Sequence, residues 1–245
     1  MSDKTPDLSI IIPCFNEEGA ISQLGERIAE LREHLDWSYE LVLIDDGSGD
    51  NTWLEIQKLQ QRYDFVAPVQ HPENRGIVAG WHTGFAAAKG RYVVTMDADL
   101  QYRPEDIIAL KRKLDETGAE VVQGARVKEL ERSALRRLMT AGLSWLLNLM
   151  FGMKLVDNKS GFILCRREVF GDILTTRYQY RHFQHFIAVS AHAKGYRIVQ
   201  VPVVFDPRVA GQSFMRHPVH FAFTAIADLP WALWEFRFRR RKAVN

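Results

Sequence analysis

The sequence predicts an α/β fold with a mostly parallel sheet and flanking helices. Three observations carry that prediction. Short apolar runs alternate with amphipathic stretches over the first 125 residues. This alternation implies parallel strands joined by right-handed helical crossovers. Polar, acidic motifs follow the first, second and fourth of those runs, where ligands of open α/β sheets bind. The length of 245 residues, with 47% apolar and 25% charged residues, suits one large domain or a core with an appendage. It excludes a disordered chain, a fibrous repeat and a small disulfide scaffold.

In chain order, Leu8–Ile12 (LSIII) is a buried-strand signature stopped by Pro13. Residues 17–35 have apolar positions at helical spacing. Residues 41–44 form a second strand, ended by DDGSGD. A helix over 51–63 and a strand over 65–69 follow. Residues 77–89 read as a helix, with Gly76, Gly80 and Gly84 at every fourth position. Such a stripe of small residues lets a helix lie close against a sheet. A strand over 91–96 ends in DADLQ. Pro104 opens a helix that runs to 116, and residues 120–124 give another strand.

From about residue 130 the texture changes. Residues 132–153 begin basic and become strongly apolar. After the turn VDNKSG comes a strand over 162–165, then a helical stretch over 180–194 and a strand over 198–204. Residues 220–242 are rich in aromatics. We assign residues 1–215 to the main domain, with 130–155 as an inserted amphipathic segment, and 216–245 to an aromatic and basic tail. Cys14 and Cys165 lie far apart in apolar runs and read as buried structural thiols.

The formal net charge is +2, which gives no reason to expect a nucleic-acid partner. That average hides an asymmetry: residues 236–245 (FRFRRRKAVN) hold five basic residues and no acid, so the remaining chain is slightly acidic. There is no run of 18 apolar residues, hence no conventional membrane span. The start of the chain is polar and acidic rather than a signal peptide, and the expected compartment is the cytoplasm.

The strand-end motifs suggest chemistry. Asp97 and Asp99 place two hard carboxylates where the chain leaves the sheet, and Gln101 adds an amide oxygen. Such donors suit Mg²⁺ or Mn²⁺. Asp45 and Asp46 can accept from a base N–H edge or from ribose hydroxyls. Ser48, Asp50 and Asn51 can alternatively cap the next helix. Phe15, in PCFNEE, can lie on a base or fill the core. Neither GxGxxG nor GxxxxGK[ST] occurs, so a dinucleotide site and a P-loop are unsupported. The set describes a nucleoside-diphosphate site with a cation on the diphosphate.

The motifs IIPCFNEE, VLIDDGSGDNT, HPENRGIVAGWHTGFAAAKG, YVVTMDADLQYRPEDI, QGAR, RRLMT, VDNKSGF and VPVVFDPRVAGQSF resemble the family 2 glycosyltransferases of GT-A fold, a Rossmann-like architecture. Within them the chain resembles the polyprenyl-phosphate sugar synthases. The resemblance covers roughly residues 8–214. It implies a nucleoside pocket of Pro13, Phe15, Glu17, Asp45 and Asp46, and metal ligands Asp97, Asp99 and Gln101. Arg126 would face the donor phosphates. Arg136 and Thr140 would meet the acceptor phosphate. Arg208 and Ser213 would belong to a loop over the donor diphosphate. The implied donor is a GDP- or UDP-sugar and the implied acceptor a polyprenyl phosphate.

Three departures concern the sugar and nucleotide. Phe15 stands where the family usually has Tyr, GARV where the mannose synthases tend towards GSRY, and Phe214 where a Lys usually follows Ser. A lipid acceptor implies a peripheral position on the inner face of a membrane, reached by residues 132–153 and by the tail. Trp231, Trp234 and the arginine cluster suit an anionic headgroup region. The tail can instead pack on the core or on a partner subunit or membrane protein. A transferase using a hydroxyl acceptor would need a general base, for which Asp157, His182 and His185 are the candidates. A sugar-nucleotide-binding protein without turnover is a further alternative.

Overall fold

The computed structural model describes residues 5–129, 134–178, 180, 183–208 and 227–238, with the backbone alone for 127–129, 134–141 and 238. In chain order the elements are β1 (Leu8–Cys14), α1 (Glu18–Glu30), β2 (Tyr39–Asp45), α2 (Thr52–Arg62), β3 (Val66–Gln70), α3 (Ile77–Ala87), β4 (Tyr92–Thr95) and α4 (Asp106–Thr117). There follow β5 (Val121–Glu129), α5 (Ala134–Phe151), β6 (Ile163–Arg166), α6 (Arg167–Leu174), α7 (Ile187–Ala193) and β7 (Ile198–Phe205). Residues 227–233 are helical and continue into a π-helical turn, Trp234–Phe238.

The described strands form one seven-stranded sheet in the order β3-β2-β1-β4-β6-β5-β7. The pairs β1/β2, β1/β4, β2/β3 and β5/β7 are parallel. β6 runs antiparallel to both β4 and β5. Two reversals restore direction, so β5 and β7 point the same way as β1. The carboxyl ends of β1, β2, β4, β5 and β7 therefore share one edge, and the expected mostly parallel sheet is present.

Both faces of the sheet are covered, which is why its strands read as continuous apolar runs. Alternation in β1 sends Ile10 and Ile12 into the layer with Ile21, Leu24, Ile56 and Leu110 of α1, α2 and α4. Ile11 enters the opposite layer with Trp81 of α3, Phe170 of α6 and Val189 of α7. Cys14 and Cys165 are buried free thiols, as expected.

The glycine stripe of α3 does what its spacing suggests at two of its three positions. A Cβ on Gly80 would stand 2.8 Å from Pro13 Cβ, and one on Gly84 would stand 2.3 Å from Ile11 Cγ2. Gly76 touches nothing within 4 Å of such an atom; its φ of +84° is the reason for glycine there. Gly84→Ala is expected to destabilise the fold by about 1–3 kcal/mol through overpacking. Urea unfolding measures this, and Gly76→Ala serves as the contrasting strain-only variant.

Three elements differ from the sequence reading. α6 was not anticipated: Val169, Phe170, Ile173 and Leu174 give it a buried face, but Gly171 in its middle masks the helical signal. That glycine is required because Phe85 Cζ would lie 2.5 Å from its Cβ. The helix expected over 180–194 is a 3₁₀ turn, Phe183–His185, followed by the short α7. Phe186, with φ −111° and ψ 2°, interrupts the helix while its ring is buried. Finally, β5 extends beyond the expected residue 124 to Glu129, with an irregularity between Arg126 and Lys128.

Candidate active site

The loops after β1 and β2 are tied together by their own polar residues. Asn16 takes a left-handed conformation (φ 55°), and its Oδ1 accepts from Gly49 N at 2.8 Å. Asn16 N donates to Ser48 Oγ at 3.0 Å, and Glu17 N donates to Thr52 Oγ1 at 2.8 Å. Of the three possible capping residues, Asn51 is the N-cap of α2 but makes no side-chain capping bond; Asp50, one residue earlier, accepts from Thr52 N at 2.9 Å and from Glu18 N, at the start of α1, at 3.3 Å.

The two aspartates at the end of β2 divide their work. Asp45 is fully buried, and its carboxylate accepts from Ser48 N at 3.1 Å and Gln70 Nε2 at 3.0 Å. Asp46 accepts from Arg75 N at 2.9 Å, Gly76 N at 2.8 Å and His71 Nδ1 at 2.7 Å. Because a carboxylate only accepts, the His71 Nδ1 carries the proton, and Nε2 can accept from Thr83 Oγ1 at 2.8 Å. Both oxygens of Asp46 thus shape the 71–76 loop. Gly47 (φ +68°) lies directly beneath that loop, since a Cβ there would meet the Glu73 carbonyl carbon at 2.3 Å. Gln70 and His71 are contributions that sequence reasoning missed. Their only signal was a polar pair where the edge strand β3 ends.

Asp97 and Asp99 flank the turn after β4. Leu100 is held in the left-handed region (φ 60°) with its side chain buried, a local strain that sharpens the turn. Asp99 Oδ1 accepts from Gln101 N at 3.0 Å. Burial and then repulsion from Asp99 push Asp97 up to about 7, with Arg126 and Arg208 opposing. Burial also raises Asp99, again opposed by Arg208. Glu17 is pushed up to about 7 by burial, with Arg208 opposing and Asp99 reinforcing the rise. Its Oε2 is buried without a hydrogen-bond partner. Glu17 and Asp99 are buried and Asp97 is partly so, and the nearby arginines oppose the rise without cancelling it.

Hard oxygen donors in that condition fit Mg²⁺ or Mn²⁺. Among the described residues no three His, Cys, Asp or Glu side chains enclose a cation by themselves. Mg²⁺ characteristically uses one or two carboxylates plus waters and substrate phosphates, which an Asp97/Asp99 pair permits. The third expected ligand, Gln101, uses Nε2 to donate to the Asp206 carbonyl at 3.1 Å. That contact fixes the amide beside the segment leaving β7.

The arginines arrive from the far side of the sheet. Arg126 forms a two-pronged ion pair with Asp157, Nε to Oδ2 at 2.5 Å and Nη2 to Oδ1 at 2.9 Å, with the ring of Phe205 beneath its guanidinium. Burial would raise Asp157, but the hydrogen bonds and charge of Arg126 hold it below the usual carboxylate range. A carboxylate so committed is a poor general base. Arg208 reaches Glu17 Oε1 at 2.7 Å and Asp99 Oδ2 at 2.8 Å. Its root is anchored by Asp206, which pairs with Arg103 Nε and Nη2 at 2.6 and 2.9 Å.

Ser160 and Gly161 of the VDNKSGF turn join the same assembly. Tyr102 Oη and Ser160 Oγ are 2.9 Å apart, Gln123 Nε2 donates to the Ser160 carbonyl at 2.8 Å, and Thr95 Oγ1 donates to the Gly161 carbonyl at 2.5 Å. Pro13 and Phe15 are half-buried at the end of β1. Arg136 and Thr140 lie on the backbone of α5, but their side chains fall outside the described residues, as do Ser213 and His182 entirely. His185 is buried in the turn before α7.

One edge of a mostly parallel seven-stranded sheet thus gathers these acidic and basic groups. The chain belongs to glycosyl transferase family 2, whose model matches residues 9–174. It is similar to the dodecaprenyl-phosphate galacturonate synthase of Rhizobium johnstonii, with 27% identity over 96% of this chain and 69% of that protein. It is also similar to the dolichol-phosphate mannosyltransferase of Pyrococcus furiosus (30%, over 88% and 61%). A third relative is the undecaprenyl-phosphate 4-deoxy-4-formamido-L-arabinose transferase of Proteus mirabilis (30%, over 86% and 63%). The chain thus spans about two thirds of the length of these curated relatives.

Solved structures share the GT-A fold. Glucosyl-3-phosphoglycerate synthase from Mycobacterium tuberculosis, determined with Mn²⁺, UDP and glucosyl-3-phosphoglycerate, superposes with a TM-score of 0.71 at 20% identity, over 94% of this chain and 81% of that one. A mannosyltransferase from Pyrobaculum calidifontis, in complex with GDP-mannose and Mn²⁺, gives 0.68 at 17%, over 99% and 67%.

Proposed function

We propose that the chain transfers a sugar from a nucleotide-diphosphate sugar to a polyprenyl phosphate at a membrane surface, with inversion at the anomeric carbon. The observation that carries the reading is the carboxyl edge itself, where Asp97 and Asp99 stand opposite the cationic groups of Arg126 and Arg208. The names of the three relatives support the acceptor class.

A phosphate monoester carries about −1.5 to −2 charge near pH 7, so its oxygen is already ionised and needs no base. An acceptor oxygen forms the bond to the anomeric carbon as the bond to the donor diphosphate breaks. The electron pair leaves with the nucleoside diphosphate. Asp45, fixed by Ser48 and Gln70, and Glu17 and Phe15 line the nucleoside end. Arg126, oriented by Asp157, and Arg208 offset the charge of two anionic substrates brought together. Asp97, Asp99 and Gln101 would hold a Mg²⁺ or Mn²⁺, which when bound supplies neutralisation of the departing diphosphate. Arg136 and Thr140 on α5 are the proposed acceptor-phosphate contacts, with Ser213 on the donor side.

A lipid acceptor requires a surface that meets a bilayer. No helix among the described residues is long and apolar enough to cross one. α5 exposes Trp145 (66%) and Leu149 (62%), one turn apart, and the C-terminal helical segment exposes Trp231 (50%) and Trp234 (48%). The two elements touch: Arg237 donates to the Met150 carbonyl. The opposite side of the C-terminal segment packs inward through Ala232 and Phe236. Glu235, a charge that interrupts the tail's apolar run, accepts from Tyr180 Oη at 2.8 Å and Arg177 N at 2.7 Å. Deleting the tail would therefore strip the core. Point substitution is the cleaner test: Trp145→Ser with Trp234→Ser is expected to reduce flotation with anionic phospholipid vesicles at least several-fold. Unchanged flotation would remove this face from the account.

A further inference from the structure

Arg208 stands where positive charge is most needed. Its guanidinium bridges Glu17 Oε1 at 2.7 Å and Asp99 Oδ2 at 2.8 Å, with side-chain exposures of 22% for Arg208, 7% for Glu17 and 6% for Asp99. Asp97 adds a third carboxylate close enough to repel both. The bridge is anchored. Two residues earlier, Asp206 N donates to the Gln101 carbonyl at 2.9 Å, and Gln101 Nε2 returns a bond to the Asp206 carbonyl. The root of Arg208 is therefore stitched to the same turn that carries Asp97 and Asp99. The second Glu17 oxygen stays buried and unpartnered, so the guanidinium satisfies the cluster only in part.

We infer that Arg208 is an exchangeable counter-cation. In the donor-free enzyme it neutralises Glu17 and Asp99 and competes with a divalent cation for the Asp99 carboxylate. When a nucleoside diphosphate arrives with its cation, the guanidinium passes from the carboxylates to the diphosphate. Asp99 is thereby freed for coordination. The inference rests on the cation reading of Asp97 and Asp99 given above, and adds an internal competitor for it. Its thermodynamic consequence is reciprocal coupling: the cation alone binds weakly, and cation and nucleotide each strengthen the other's binding. Charge-assisted bonds from a fixed arginine fork are strong enough to compete in this way.

The test is Mn²⁺ binding to the full chain, followed by electron paramagnetic resonance of free Mn²⁺, with and without GDP or UDP. Arg208→Gln is expected to bind Mn²⁺ alone about 5-fold or more tightly than the wild type, within the usual range of coupling between sites. It should also bind the nucleoside diphosphate more weakly. Arg208→Lys, which keeps the charge, should restore weak Mn²⁺ binding towards the wild-type value. Equal or weaker Mn²⁺ binding by a folded Arg208→Gln overturns the exchange and leaves the metal site standing. Absence of Mn²⁺ binding in wild type and variant alike, even with nucleotide, overturns the metal site and the exchange together.

Discussion

Asp99→Asn is expected to lower transfer by about 10²–10³-fold, the range seen when one electrostatic stabiliser of a developing charge is removed. The same substitution should weaken Mn²⁺ binding. An amide keeps the shape of the side chain, so the turn at Leu100 and the bond from Gln101 N to Oδ1 can persist. It supplies no negative charge to a cation and holds Arg208 less tightly. The two effects are separable: steady-state turnover at saturating Mn²⁺ reads the first, and a Mn²⁺ titration reads the second. Wild-type values for both would show that Asp99 neither holds a cation nor organises the donor end.

Asp157→Ala should act mainly on stability. Asp157 and Arg126 are almost wholly enclosed, with side-chain exposures of 6% and 11%. Removing one member leaves a desolvated guanidinium, which typically costs about 3–5 kcal/mol. Urea unfolding at pH 7 measures it. The pH dependence gives a second signature. Asp157 is depressed in the folded protein, so its contribution is complete above the unfolded carboxylate value of about 3.9 and is lost as pH falls below it. The stability gap between wild type and Asp157→Ala should therefore narrow in acid. A gap that is small at pH 7, or constant down to pH 3, would show that the pair contributes little.

The placement of the aspartates of the proposed donor end was legible in the sequence because it is local. Asp45 ends β2, and Asp97 and Asp99 lie in the turn that follows β4; the apolar runs of both strands are unmistakable, and a parallel sheet brings such ends to one edge. The glycine periodicity of α3 was readable for the same reason, since packing imposes it residue by residue. What was hidden depends on long-range pairing. The role of Asp46 is set by His71, Arg75 and Gly76, some 25–30 positions away. Arg126 looked like a phosphate contact, and its pairing with Asp157 follows only from the antiparallel placement of β6. Arg208 meets Glu17 across 191 positions. α6 escaped notice because Gly171 answers to Phe85 on another helix, and local propensity carries no trace of that. Glu235, a charge in the tail, is used inward as a hydrogen-bond acceptor.

The acceptor separates a polyprenyl-phosphate transferase from one that acts on a hydroxyl. The decisive measurement is transfer by the purified full chain from a panel of GDP- and UDP-sugars carrying a radiolabelled sugar, with undecaprenyl phosphate, undecaprenol and a soluble glycan offered separately in Mn²⁺ buffer. The account predicts a labelled lipid that forms only with the phosphate, releases its sugar under mild acid, and appears with one nucleoside diphosphate per transfer. Label reaching the free alcohol or the glycan, with none on the lipid phosphate, would contradict it.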